Sequence, residues 1–279
     1  MIRYVIALLI VLVACFGLQS LALRACGGST VKSESNYFSS IARIQTESRK
    51  KADVMLLGSS LTGRLADRGG KNDHVANLGC DGGSAVVILR AIDSGLLPAA
   101  PLLVIETNTL GYGVEDRGSD IAKAIDSSWF KLGNRLPNIS STARPSAFFY
   151  SWLMARKKTE ATSLGETLPV TTHPVRLIPN PDQALDPGEE KLTKELTGIL
   201  SRLSQKGSRI LLVQFPAGNL NDTILKNMPT ALAAHSGFPY WDLNIGLAPD
   251  AVHYTDGRHL DAASARKLMN TLLGERITP

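Results

Sequence analysis

Four segments of the 279-residue chain carry side chains of the kinds that acyl transfer requires. Ser59 and Ser60 follow the apolar run Val54 to Leu57 and Gly58. Asn77 precedes the glycine-rich stretch Gly79-Cys80-Asp81-Gly82-Gly83-Ser84. Glu106-Thr107-Asn108-Thr109 closes a second apolar run, and Asp256-Gly257-Arg258-His259 lies near the C-terminus. A serine hydroxyl is a poor nucleophile until a base takes its proton. Imidazole is the usual base at neutral pH, and a carboxylate holds it in the required tautomer. The tetrahedral intermediate then needs donors aimed at its oxyanion, which the Ser60 N–H, the Gly82 N–H and the Asn108 side-chain amide would supply. On this reading Ser60 attacks, His259 is the base and Asp256 orients it. His253, also three residues from Asp256, stands as a rival base, whereas His74, His173 and His235 read as structural or exposed.

Each segment alone has a simpler reading. A Gly-Ser-Ser turn after a strand serves as a tight connection or a phosphate-binding start. Asn108 is a natural helix cap, and Asp256-x-x-His259 a surface turn.

Such side chains act together only if strands deliver them to one edge. Residues 53–57, 74–78, 101–106, 209–215 and 239–243 read as strands; the first and third are the continuous apolar runs of a parallel sheet buried on both faces. Helical patterns follow from 61, over 85–92, 189–206, 221–234 and 261–273. In the third of these Leu192, Leu196, Ile199, Leu200 and Leu203 form one stripe with Gly207 as its stop; Asp261 is placed to cap the last. This alternation predicts an α/β fold, a three-layer α/β/α sandwich on a five-stranded parallel sheet with all strand C-termini along one edge. Between 111 and 187 the period is lost, as in a partly helical insertion that serves as a lid or a packing decoration.

Residues 1–26 read as a membrane anchor or export signal: Tyr4 to Leu23 is almost wholly apolar between Arg3 and Arg24, long enough to cross a bilayer. Leu12-Val13-Ala14-Cys15 is similar to a lipoprotein box. Residues 27–51 read as a stalk with a short helix near Tyr37, Phe38, Ile41 and Ile44, and 52–279 as the catalytic domain. Three cysteines are too few for a disulfide framework, although Cys26 and Cys80 could pair in an oxidising compartment. The net charge of +5 and pI near 9.1 come from scattered Lys and Arg, so nucleic acid is not an expected partner. No metal or cofactor site is expected, and a nucleotide site lacks both Gly-x-Gly-x-x-Gly and Walker spacing.

In order and spacing the four segments resemble the four sequence blocks of the SGNH (GDSL-type) hydrolases, over the chain from Asp53 to its C-terminus. The resemblance implies that family's flavodoxin-like fold, with Ser60 as nucleophile, Ser60, Gly82 and Asn108 in the oxyanion hole, and the pair Asp256 and His259. Asn77 sets the count that selects Gly82 over Gly79 and Gly83. Two departures stand out: Ser59 replaces the aspartate of Gly-Asp-Ser, and Glu106-Thr107-Asn108-Thr109 replaces Gly-x-Asn-Asp. The Gly-Ser-Ser form resembles membrane-anchored members that act on cell-envelope polymers. That implies an esterase or acyltransferase working on an acyl, for instance acetyl, ester of a glycan or lipid, with partners in envelope polysaccharide assembly. It also implies a single-pass location in a bacterial-type inner membrane with the domain outside the cytoplasm; a secreted form or a lipoprotein is the alternative. A non-catalytic glycan-binding or accessory protein on the same fold is the competing expectation.

Overall fold

A computed structural model of the chain describes residues 1–25, 33–69, 73–157, 175–176, 184–218, 227–244 and 251–274. The parallel strands are β1 (Val54–Gly58), β2 (Val75–Gly79), β3 (Leu102–Glu106), β5 (Arg209–Gln214) and β6 (Tyr240–Asp242), within about two residues of the sequence expectation. They lie in the order β2-β1-β3-β5-β6, all parallel. A sixth, β4 (Val175–Arg176), pairs antiparallel with β6 at the edge. Two residues are too few to carry a readable period, and β4 was not expected from the sequence.

β1, β2 and β3 are buried along their whole length, which is why β1 and the Leu102–Ile105 part of β3 read as unbroken apolar runs, while β2 carries the buried Asn77. Their side chains alternate between two cores. Met55, Leu57, Leu103 and Ile105 join one cluster with residues of α4 (Ala85–Asp93), α8 (Pro187–Gln205) and α9 (Asn227–Ser236). Val54, Leu56, Leu102 and Val104 join the other, with Leu65 of α3 (Ser60–Gly69) and Leu268, Met269 and Leu272 of α10 (Ala262–Gly274). Local signals fix several helix ends. Asp186 and Glu189 form a capping box on α8, Gly207 turns left-handed (φ 101°) beyond it, and Asp261 Oδ1 accepts from Ser264 N at 2.8 Å at the start of α10.

Over the described residues 33–51 the expected short helix is present, but it does not stand on a stalk. α2 (Asn36–Glu47) buries Ser39 to Gln45 and Glu47. Its Arg43 donates to Gly79 O (2.7 Å) and Asp81 Oδ1 (3.0 Å), Ser40 Oγ accepts from Asp81 N, and Glu47 Oε2 accepts from Asn77 N. These polar groups cannot be left without partners once buried, so α2 is part of the folded unit, which begins before Ala52. Its mixed composition hid this: five of the eight residues it buries are polar.

α1 (Ile2–Ala25) is long and apolar enough to span a bilayer, as an anchor or as an export signal. The 111–187 region contains α5 (Ser119–Asp126), α6 (Ser128–Arg135) and α7 (Pro145–Lys157), with two 3₁₀ turns (Pro137–Ile139 and Ser141–Ala143) joining α6 to α7. The rest of the expected lid, at 158–174 and 177–183, lies outside the described residues.

Candidate active site

β1 ends on Gly58, and α3 begins two residues later at Ser60. The N–H of Ser60 therefore sits in a first helical turn, where donors have no acceptor within the helix. The turn is organised by Glu106, at the end of neighbouring β3 and fully buried. Its Oε2 accepts from Ser59 N (2.8 Å), Thr62 N (3.1 Å) and Thr62 Oγ1 (2.6 Å). Its Oε1 accepts from Ser59 Oγ (2.7 Å) and Thr109 Oγ1 (3.0 Å). A negative charge at a helix N-terminus also complements the helix dipole. Gly58 is obligatory here, because a Cβ would run into Thr62 Oγ1 and the Glu106 carboxylate.

The C-terminal loop arrives from the other side of the chain. Asp256 Oδ1 accepts from Arg258 N (3.2 Å) and His259 N (2.8 Å), Thr255 N donates to His259 O, and Gly257 takes φ 71°. Gly218, after β5, sits so close to Gly257 O that a side chain there would collide with it. α10 leaves this loop and packs on α3, which bears Ser60.

These contacts bring together residues 199 positions apart: Ser60 Oγ lies 3.0 Å from His259 Nε2. His259 Nδ1 lies 2.8 Å from Asp256 Oδ2, and the His259 residue is buried. Burial works to raise the Asp256 carboxyl, but the hydrogen bonds from the His259 backbone and ring and from Arg258 N outweigh it, so the group is held well below its ordinary value of 3.8. It is His259, not His253, whose ring meets Ser60; His253 is exposed, and its backbone N–H donates to Ser264 Oγ. His74 pairs with Asp53 at 2.8 Å on the exposed surface, His235 bonds its own helix at Ala231 O, and His173 lies outside the described residues.

Arg64, one turn after Ser60 on α3, was not anticipated from the sequence. Its Nη1 lies 2.8 Å from Asp256 Oδ2 and 2.9 Å from His259 Nδ1. A guanidinium only donates and a carboxylate only accepts, so Nδ1 can serve one of the two at a time. With its proton on Nδ1, His259 donates to Asp256 and accepts from Ser60. With the proton on Nε2 it accepts from Arg64 and donates to Ser60, a state that cannot take the serine proton.

Gly82 (φ 81°) is exposed on the turn after β2, with open space on the side where a Cβ would stand. Arg43, Ser40 and Asp81 hold that turn. Asn77 bonds Gly63 O and Gly79 N, tying β2 to α3. The expected role of Asn108 is modified by its surroundings. Its Nδ2 donates to Phe215 O (2.9 Å) and its Oδ1 accepts from Phe215 N (2.8 Å), so the side chain extends the β3–β5 ladder, and a single amide hydrogen remains for another acceptor. Cys80 is buried and carries a free thiol pushed up to about 12, chiefly by burial, then by Asp81 and Asp120; Cys26 lies outside the described residues. No protein-family profile, curated protein or solved structure matches the chain.

Proposed function

We propose that this chain is a serine esterase or O-acyltransferase on a three-layer α/β/α sandwich of SGNH type, removing or moving an acyl group, such as acetyl, on a cell-envelope glycan or lipid. The observation that carries the reading is the continuous contact Ser60 Oγ to His259 Nε2 and His259 Nδ1 to Asp256. Strand order adds support: the parallel strands run β2-β1-β3-β5-β6, and Ser60 and Glu106 stand at the ends of adjacent β1 and β3, where the strand order reverses and such sheets open a crevice.

In this mechanism Ser60 Oγ attacks the acyl carbonyl while His259 Nε2 takes its proton. The oxyanion receives hydrogen bonds from Ser60 N–H, Gly82 N–H and the remaining amide hydrogen of Asn108. His259 returns the proton to the leaving oxygen, giving an alcohol and acyl-Ser60. An acceptor hydroxyl, deprotonated by the same imidazole, then takes the acyl group. Water makes the enzyme an esterase, and a sugar hydroxyl makes it a transferase.

A fluorophosphonate probe tests the reading on the full chain. Wild type should be labelled and Ser60→Ala should not; an unlabelled wild type, or equal labelling of both, rejects it. The second reading, a non-catalytic glycan-binding or accessory module, is favoured by the Asn108 amide's engagement with Phe215, and it predicts no label in either protein.

Arg64 gives a further expected outcome. Its positive charge opposes formation of an imidazolium at His259, so Arg64→Met should move the acid limb of the pH–labelling profile toward higher pH. An unmoved limb would mean that Arg64 acts on Asp256 alone.

A further inference from the structure

α6 and α7 turn large apolar side chains away from the domain. α6 buries Phe130 and Gly133, yet Trp129 (61% exposed), Leu132 and Leu136, the residue that follows the helix, face outward at spacings of three and seven. α7 buries Ala147 while Phe149 (61% exposed), Trp152 and Leu153 face outward at spacings of three and four. Six exposed large apolar side chains over two short helices and the turns that join them is a density that folded proteins reserve for surfaces that something covers.

The neighbour of this surface is α1. Gln19 Nε2 donates to Asn138 O (3.0 Å) and Ala143 O (2.5 Å), and Asn138 Nδ2 donates to Ser20 Oγ (2.6 Å). These bonds fasten the last turns of α1 to the two 3₁₀ turns between α6 and α7. The assembly is in turn fixed to the domain: Gln45 Nε2 donates to Phe130 O, Gln45 Oε1 accepts from Ser141 N, and Arg49 Nη1 donates to Gly133 O. Residues 2–18 of α1 cover only about 26 Å, short of the roughly 30 Å hydrocarbon core of a bilayer. A spanning α1 therefore sets Gln19 within about one turn of the hydrocarbon edge, and with it Asn138 and Ala143 at the boundary between acyl chains and headgroups.

We propose that the outward face of α6 and α7 rests in the interfacial layer of the bilayer that α1 enters, so that the domain lies against the lipid surface and does not swing on a tether. Tryptophan favours that layer because it presents an apolar ring and one N–H donor. The exposed Arg135 on α6 suits phospholipid headgroups beside it, whereas the Lys131 ammonium already pairs with Asp126 at 3.0 Å. The inference rests on α1 acting as a membrane segment and is independent of the acyl chemistry.

The chain's three tryptophans provide the test: Trp129 and Trp152 are in the face, and Trp241 is in β6. Full chains retaining one tryptophan each, the others changed to Phe, are reconstituted in phosphatidylethanolamine–phosphatidylglycerol vesicles with acyl chains brominated near the headgroup. Emission of Trp129 and Trp152 should fall at least about twofold, while Trp241 should be unaffected. Retention of the chain through an alkaline carbonate wash reports α1 separately. Retention with Trp129 and Trp152 unquenched overturns the proposal, including the case in which their emission shifts blue with protein density because a second copy covers the face. Loss of the chain in the wash removes its premise and overturns it with the anchor reading.

Discussion

Changing His259 to alanine should lower acyl turnover by roughly 10⁴-fold, because the change removes both the acceptor for the Ser60 proton and the acid that protonates the leaving group. The fold should survive. The loop around His259 is held through backbone groups, Thr255 N to His259 O and His259 N to Asp256 Oδ1, which alanine retains. His253→Ala should stay within about twofold of wild type, since a solvated surface imidazole has no proton to move for Ser60. Turnover of a chromogenic acetyl ester, with circular dichroism as the folding control, checks both variants. A dead His253→Ala beside an active His259→Ala would mean that the base is misassigned. Asp256 does not shape the profile at neutral pH. A carboxyl held below its unfolded value adds stability above the unfolded pKa, and that stability is lost only as pH falls through the lowered folded one, well into acid.

Glu106→Ala should destabilise the protein by about 3–5 kcal/mol, a shift of between two and four powers of ten in the folded fraction. The change strands two buried N–H donors, Ser59 and Thr62, together with the hydroxyls of Ser59, Thr62 and Thr109. The nucleophile turn is what they hold, so labelling of Ser60 should fall even where the variant remains folded. Glu106→Gln should cost less, about 1–2 kcal/mol. Its oxygen can take the position facing the two N–H groups, while the hydroxyls of Ser59 and Thr109 turn to accept from its amide. Thermal melts of both variants, with fluorophosphonate labelling rates at a temperature where each is folded, measure this. A Glu106→Ala protein that melts and labels like wild type would show that the carboxylate does not organise the turn.

On the proposed SGNH reading, Glu106 also accounts for the two departures from the Gly-Asp-Ser and Gly-x-Asn-Asp patterns. The first block has a serine where an aspartate is usual, and the third has a glutamate where glycine is usual. In the fold these two side chains meet, Ser59 Oγ against Glu106 Oε1, so the carboxylate is supplied from β3 and the small hydroxyl from the turn. One cue was present in the sequence: a charged residue closing the apolar run Leu102 to Ile105, at the end of a strand expected to be central.

The sequence by itself determined where the five parallel strands lie and that Ser60, Gly82, Asn108 and the Asp256–His259 loop follow apolar runs or turns at their ends. Burial of a parallel strand leaves an unbroken apolar run, and glycine, asparagine and capping residues mark its exit, all within a few neighbouring positions. The tertiary structure alone decided which histidine meets Ser60, that Asn108 clamps Phe215, that Glu106 gathers five donors and that α2 belongs to the core. Apart from Thr109 with Glu106, those outcomes are hydrogen bonds between groups 30 to 199 residues apart, such as Glu47 with Asn77 and Ser60 with His259. A polar side chain's partner is fixed by which strand ends converge, and neither its own type nor its neighbours in sequence encode that convergence.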